Sequence, residues 1–187
     1  MKLLRASDHK RMPWKNGGGE TVEIAVSPDG VGLADFDWRV SMATVATDGP
    51  FSVFPGIDRT LSILEGEGMT LFIEGREPER LTQASDPLPF AADAPTSATL
   101  IDGTITDLNV MTRRGRFTHS VRRISVDGNG KVEPKSETAL ILCHRGTAEI
   151  NGAVLVAGDC LALSNEASTQ HPISGSAQLF LIEIEAI

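Results

Sequence analysis

Short runs with alternating apolar and polar residues, each closed by glycine or proline, recur along almost the whole chain and leave few stretches long enough for a helix. TVEIAV, DWRVSMATV, RTLSILEG, MTLFIEG, SATLIDGTITDLNVM, HSVRRISV, ETALILCHRG, GTAEING, AVLVAGDCLALS and AQLFLIEIEAI all fit strands. Turns such as Asp29-Gly30, Asp102-Gly103 and Asn151-Gly152 separate them. Many short strands predict an all-β sandwich or barrel. The stretch Glu77 to Thr96, with four prolines, reads as a surface connection holding one short strand.

LSILEGEG at Leu61 to Gly68 is echoed by ALILCHRG at Ala139 to Gly146, and in both places a short strand, a polar or proline-containing loop and an apolar strand follow. Two halves built on one plan are expected. Between them lies TRRGRFTHSVRR, which concentrates Arg113, Arg114, Arg116, Arg122 and Arg123. Its arginines are expected to pair with acidic groups as a solvated crossover, and an acidic or nucleic-acid partner is the competing reading.

The acidic balance bears on that choice. A formal net charge of −8 and a pI near 5.0 argue against nucleic acid as the main partner, because phosphate binding rests on Lys and Arg. The opening MKLLRASDHKRM lacks the apolar stretch of a signal peptide, and no window is long and apolar enough to span a bilayer, so a cytoplasmic location without membrane contact is expected. Cys143 and Cys160 form neither a disulfide framework nor a CxxC pair and read as buried small apolar residues.

PWKNGGGETVEI, from Pro13 to Ile24, is the most unusual segment. Three consecutive glycines are costly to order and suggest either slack or close approach to a ligand. GxxxxGK[ST] is absent and GGG does not follow a strand, so neither nucleotide fingerprint applies.

PWKNGGGETVEIAV, FDWRVSMATVATDGPFSVFPGIDRTLSILEGEG and DLNVMTRR together resemble the HutD/Ves family of the cupin superfamily. The likeness is specific from Met12 to Arg114 and rests on the half-repeat thereafter. It implies a bicupin of two fused cupin-like (RmlC-like jelly-roll) barrels, which divides the chain into residues 1–112, a first barrel with an N-terminal arm, and 113–187, a second. It also implies an association with histidine utilisation, sensing or limiting pathway intermediates rather than catalysing a defined step, or for the Ves branch with cold or stress expression. Barrel edges of this kind often pair, which admits a homodimer.

A metal-binding cupin needs an HxH pair, a carboxylate and a third histidine. His9, His119, His144 and His171 supply no HxH pair, and Arg59 falls where the superfamily spacing puts the glutamate ligand. No metal or other cofactor is expected in the first barrel; the guanidinium suggests an anion instead.

Strand alternation then collects a polar set. Arg39 shares a face with Ser41 and Ala43, Arg59 with Leu61 and Ile63, Asn109 with Asp107 and Met111, and Glu23 with Thr21 and Ala25. Glu23, Arg39, Ser41, Arg59 and Asn109 are the candidate ligand-binding residues. Lys15 and Asn16 join them if the glycines bend the arm over the barrel mouth and present free backbone N–H groups. His144 and His171 read as strand-end and loop residues.

Three functions fit these residues. The first is a binding protein for a small anionic metabolite such as urocanate or formylglutamate. The second is a metal-free enzyme using Glu23 as general base. The third is an interaction module acting through Arg113 to Arg123.

Overall fold

The computed structural model describes all residues from Met1 to Ile187. The alternating runs become strands β1 (Lys2–Leu4), β2 (Lys10–Pro13), β3 (Gly19–Ser27), β4 (Trp38–Val45), β5 (Gly49–Pro50), β6 (Ile57–Glu65), β7 (Met69–Ile73) and β8 (Glu79–Leu81). They continue as β9 (Leu88–Ala91), β10 (Thr96–Leu100), β11 (Ile105–Arg113), β12 (Phe117–Val132), β13 (Thr138–Ile150), β14 (Ala153–Val156), β15 (Cys160–Ser164) and β16 (His171–Ala186). A single 3₁₀ turn at Ala6–Asp8 is the only helical element. No helix is long and apolar enough to cross a membrane.

The chain divides into two compact units, Lys10–Thr118 and Met1–His9 with His119–Ile187. In the first, a six-stranded sheet β2-β3-β4-β11-β6-β9 is accompanied by a four-stranded sheet β5-β10-β7-β8. Inward residues of both, among them Leu61, Ile63 and Phe90 from one and Met69, Leu71 and Ala98 from the other, form one apolar core. A smaller cluster of Phe36, Ile57, Ala92 and Met111 lies farther along the same sheet. Ile57 and Leu61 flank Arg59 on β6 with the same side-chain direction, so a charged residue separates two apolar clusters.

The other unit is a sheet of order β1-β15-β13-β16-β12, with β14 paired to β13. Ile141, Ile150, Leu155, Leu161, Leu179 and Leu181 are fully buried in its core.

Three expectations change. Met1–His9 does not belong with the first unit, because Leu3 pairs with Leu161 and β1 extends the C-terminal sheet, and the division falls at Thr118 rather than residue 112. Glu77 to Thr96 holds two short strands besides the start of β10; Leu81 and Phe90, 2% and 4% exposed, anchor them in the core despite the prolines. ETALILCHRG and GTAEING fuse into one long strand, β13, with a register shift between Cys143 and Arg145.

The Asn151-Gly152 turn does appear as read: both residues have positive φ, 49° and 78°, as a tight hairpin turn with right-handed strand twist demands.

Candidate functional site

β4, β11 and β6 are neighbours in the six-stranded sheet, and their register assembles the site. Met111 is opposite both Arg39 and Arg59, so the two arginines share one rung. Ser41, Asn109 and Leu61 form the next rung, and Ala43, Asp107 and Ile63 the one after. Residues two apart on a strand point to the same face, so these rungs present one continuous surface.

A cavity of about 670 Å³ lies over that surface. Arg39, Ser41, Arg59, Asp107, Asn109 and Met111 line its floor; Trp14, Lys15 and Asn16 contribute from the β2–β3 connection, and Phe51 and Phe54 from the segment after β5. Six of the seven candidate residues are therefore brought to one cavity.

Glu23 is the exception. It is not among the lining residues, and its Oε2 instead accepts a hydrogen bond from Arg39 Nε at 2.7 Å. The β3–β4 register shifts between Glu23 and Ala25, which interrupts the simple alternation that had grouped Glu23 with Thr21 and Ala25. Arg39 thus has a carboxylate partner, and its Nη1 approaches Ser41 Oγ at 3.4 Å.

Arg59 is differently placed. Only 5% exposed, its guanidinium stands 5.4, 5.3 and 5.8 Å from the ring centres of Phe51, Phe54 and Phe90. Its Nη2 approaches Met111 Sδ at 3.9 Å, and its Nε has no hydrogen-bond partner. Burial lowers its pKa to about 10, against the pull of Asp107 and with a further push from Arg39, so it remains protonated at neutral pH. Aromatic faces stabilise a cation but cannot satisfy its N–H donors.

Asp107 is the residue that sequence reasoning left out of the site. It is 1% exposed and accepts a hydrogen bond from Asn109 Nδ2 at 2.5 Å. Burial pushes its carboxyl up to about 7 despite the Arg59 charge and the hydrogen bonds from Asn109 and the Ala43 backbone. The signal was available, since Asp107 shares the period-two face of Asn109. The phenylalanines around Arg59 had no such signal, because they come from separate strands and loops.

The glycine run has a structural explanation. Gly17 turns the chain at φ 71°, its N–H donating to Trp14 O at 3.0 Å, and Gly18 N–H donates to Asn16 Oδ1 at 2.9 Å. A side chain on Gly19 would place its Cβ 2.1 Å from Thr44 O and 3.0 Å from the Trp14 ring. Close backbone approach demands glycine there. The N–H groups of Gly17 and Gly18 are therefore engaged, contrary to the expected free cradle, while Lys15 and Asn16 still reach the cavity.

The arginine crossover is also committed. Arg113 donates to Phe36 O and Ala34 O, Arg114 bridges Asp58 and Asp93, Arg116 binds Asp37 at 2.5 Å, and Arg122 lies 3.6 Å from Glu183. Arg123 sits over the Phe180 ring at 5.3 Å. Arg114, Arg116 and Arg122 match the acid-paired reading, whereas Arg113 is bound by backbone carbonyls instead. His171 is no loop residue: it opens β16, is 1% exposed, and its Nδ1 meets Asn151 Nδ2 at 2.6 Å. His144 lies within β13, edge-on to Phe180.

No three His, Cys, Asp or Glu side chains gather as a metal cluster. The cavity offers two guanidinium groups and one carboxyl without an imidazole, a donor set that does not fit a divalent ion.

The fold and site together define a protein of the cupin-like, all-β class. A cupin 2 conserved barrel protein from Leptotrichia buccalis superposes at a TM-score of 0.58 with 12% identity, covering 94% of this chain and 96% of that one, a likeness of fold alone. The HutD family profile matches residues 6–181, and the chain belongs to that family. An uncharacterised 21.2 kDa protein of the hutC 3′ region in Pseudomonas putida is 36% identical over 153 residues, 82% of this chain and 78% of the relative. Protein Ves of Citrobacter koseri is 40% identical over 124 residues, 62% of this chain and 61% of its own. The structure of HutD from Pseudomonas fluorescens SBW25 in a formate condition superposes at a TM-score of 0.86 with 33% identity, covering 100% of this chain and 98% of that one.

Proposed function

We propose that the protein binds a small carboxylate-bearing metabolite in the cavity over β4, β11 and β6, and that it senses or limits that metabolite rather than converting it. The two compact units are read as the two barrels of a bicupin, with the ligand held by the first. Arg59 carries the proposal. A buried guanidinium with an unpartnered Nε, caged by three rings in a cavity of about 670 Å³, is complementary to a planar anion.

Each part has a definite role in this reading. Arg59 receives the carboxylate, Arg39 supplies a second guanidinium held in place by Glu23, and Asn109 and Ser41 orient a polar group of the ligand. Lys15 and Asn16 close over it at the mouth. Hydrogen bonds to a charged group contribute ~1.5–3 kcal/mol each, so two arginines and an amide support affinity on the order of micromolar. A small apolar-walled cavity with few polar groups is the usual form of such a site.

The family's connection with histidine utilisation makes urocanate and formylglutamate the first ligands to try. Titration calorimetry with both acids, alongside their uncharged amides, tests the idea. Binding of an acid but not its amide, lost in Arg59→Ala, is expected. Equal heats from wild type and Arg59→Ala would refute it.

A further inference from the structure

Two couples of opposite charge, three of whose four members line the cavity, differ in geometry. Arg39 and Glu23 are in direct contact at 2.7 Å and neutralise each other. Arg59 and Asp107 line the same cavity without forming an ion pair: Arg59 is held among phenylalanine rings, and Asp107 is held by Asn109. Met111 opposes Arg59, and Asp107 lies on the same strand and face two rungs farther along β11.

The charge balance follows directly. With Asp107 ionised, both couples cancel and the buried floor is neutral, so an incoming anion meets a second buried negative charge. With Asp107 protonated, Arg59 leaves one uncompensated positive charge. Like charges sharing a low-dielectric site disfavour joint ionisation, and one of them takes a proton.

We propose that Asp107 competes with the ligand for Arg59, so that the cavity binds its anion together with one proton carried by Asp107. This rests on the carboxylate-binding reading and adds proton coupling to it. The protonated carboxyl keeps its acceptor oxygen towards Asn109 Nδ2, and its O–H becomes a donor that the ionised form lacks.

Every charged group facing Asp107 can be named. Arg59 lines the cavity with it from β6 and Arg39 from β4, Glu23 of β3 lies outside the lining and is held by Arg39, and Lys15 is the exposed charged residue of the lining. The core residues contributed by the accompanying sheet, Met69, Leu71, Ile73 and Ala98, are apolar. No histidine or cysteine lines the cavity. Burial already pushes the Asp107 carboxyl up to about 7, which puts the change of charge within a range that can be measured.

N-formyl-L-glutamate is a suitable probe, because its own charge is constant from pH 6.0 to 8.5. Its affinity for the wild type should weaken at least ~5-fold across that range, because an obligatory proton with a pKa near 7 is progressively lost. Calorimetry at pH 7.5 in two buffers of different ionisation enthalpy should show uptake of at least ~0.5 proton per ligand, a measurement that needs no variant. In Asp107→Asn, which cannot ionise, both the pH dependence and the proton uptake should vanish. Wild-type binding that is flat across the range, without proton uptake, overturns proton coupling and leaves the carboxylate reading standing. No binding even at pH 6.0 overturns both.

Discussion

The Lys10–Thr118 unit and the unit completed by His119–Ile187 are both built of antiparallel strands, but they use their interiors differently. The second fills its interior with close-packed Ile, Leu, Val, Ala and Cys. Its buried acids are anchored: Asp159 accepts from Arg5 Nη1, Ala6 N and Val156 N, and Glu183 accepts from Lys135 N. His171 Nε2 is an orphan there, but His171 is not among the residues that line the cavity over Arg59. The first unit interrupts its apolar floor with Arg39, Arg59 and Asp107. Packing supports stability, whereas an incompletely compensated charge supports recognition at a cost in stability. One architecture can therefore be divided between a close-packed core and a cavity with buried charges, the one proposed to bind.

The largest expected effect challenges the structural side. Leu161→Ala, at a fully buried position of the second unit, should destabilise the protein by about 2–5 kcal/mol through lost contacts and a residual cavity. Urea denaturation measures it. Ligand affinity, taken where the variant is still folded, should stay within error; a parallel loss of affinity would break the division of labour.

Arg59→Met tests the other side. Methionine preserves much of the length and removes the buried charge, so anion affinity should fall at least ~100-fold while the thermal midpoint holds or rises. A variant that unfolds at room temperature would make Arg59 a structural residue instead.

Asp107→Asn refines the account of that cost. The Asp107 pKa rises from 3.8 unfolded to about 7 folded, so its ionisation is penalised in the folded state alone. The contribution of Asp107 to wild-type stability is then fullest below pH 3.8, declines through the interval up to about 7 and levels off above it, whereas the lowered Asp93 and Asp159 carboxyls contribute with the opposite sign at low pH. The asparagine variant should be more stable by about 1–3 kcal/mol at pH 8, with the advantage fading as pH falls towards 4. Thermal melts at pH 4, 6 and 8 would show it, and a constant offset would remove Asp107 from the list of penalised groups.

The smallest effect belongs to Asp159→Ala, which deprives Ala6 N, Val156 N and Arg5 of an acceptor. A loss of about 1–2 kcal/mol is expected, with faster amide exchange in β1. Unchanged exchange would mean that the Leu3–Leu161 pairing alone holds the strand.

Much of the fold was legible, and for a simple reason. Period-two alternation is local, so Arg39-Ser41-Ala43 and Asp107-Asn109-Met111 could each be assigned a face without knowing the partner strand. Glu23 escaped that logic because a register shift depends on the neighbouring strand. The glycine run was recognised as special but misattributed: the Gly19 requirement comes from Thr44 O and Trp14, residues that only folding brings close. Arg114 and Arg116 were read correctly as paired with acids, yet Asp37, Asp58 and Asp93 could not have been named as their partners, nor the backbone carbonyls as those of Arg113.

The chain's own order of residues settled the all-β class, the strand faces and the presence of arginines in the interior, because side-chain direction in a strand repeats every two residues wherever the strand is placed. Tertiary structure alone decided which arginine is neutralised, which is caged by rings, and that a buried carboxyl shares the cavity. Charge and desolvation act through space, and those distances are fixed only when strands and loops remote in sequence meet.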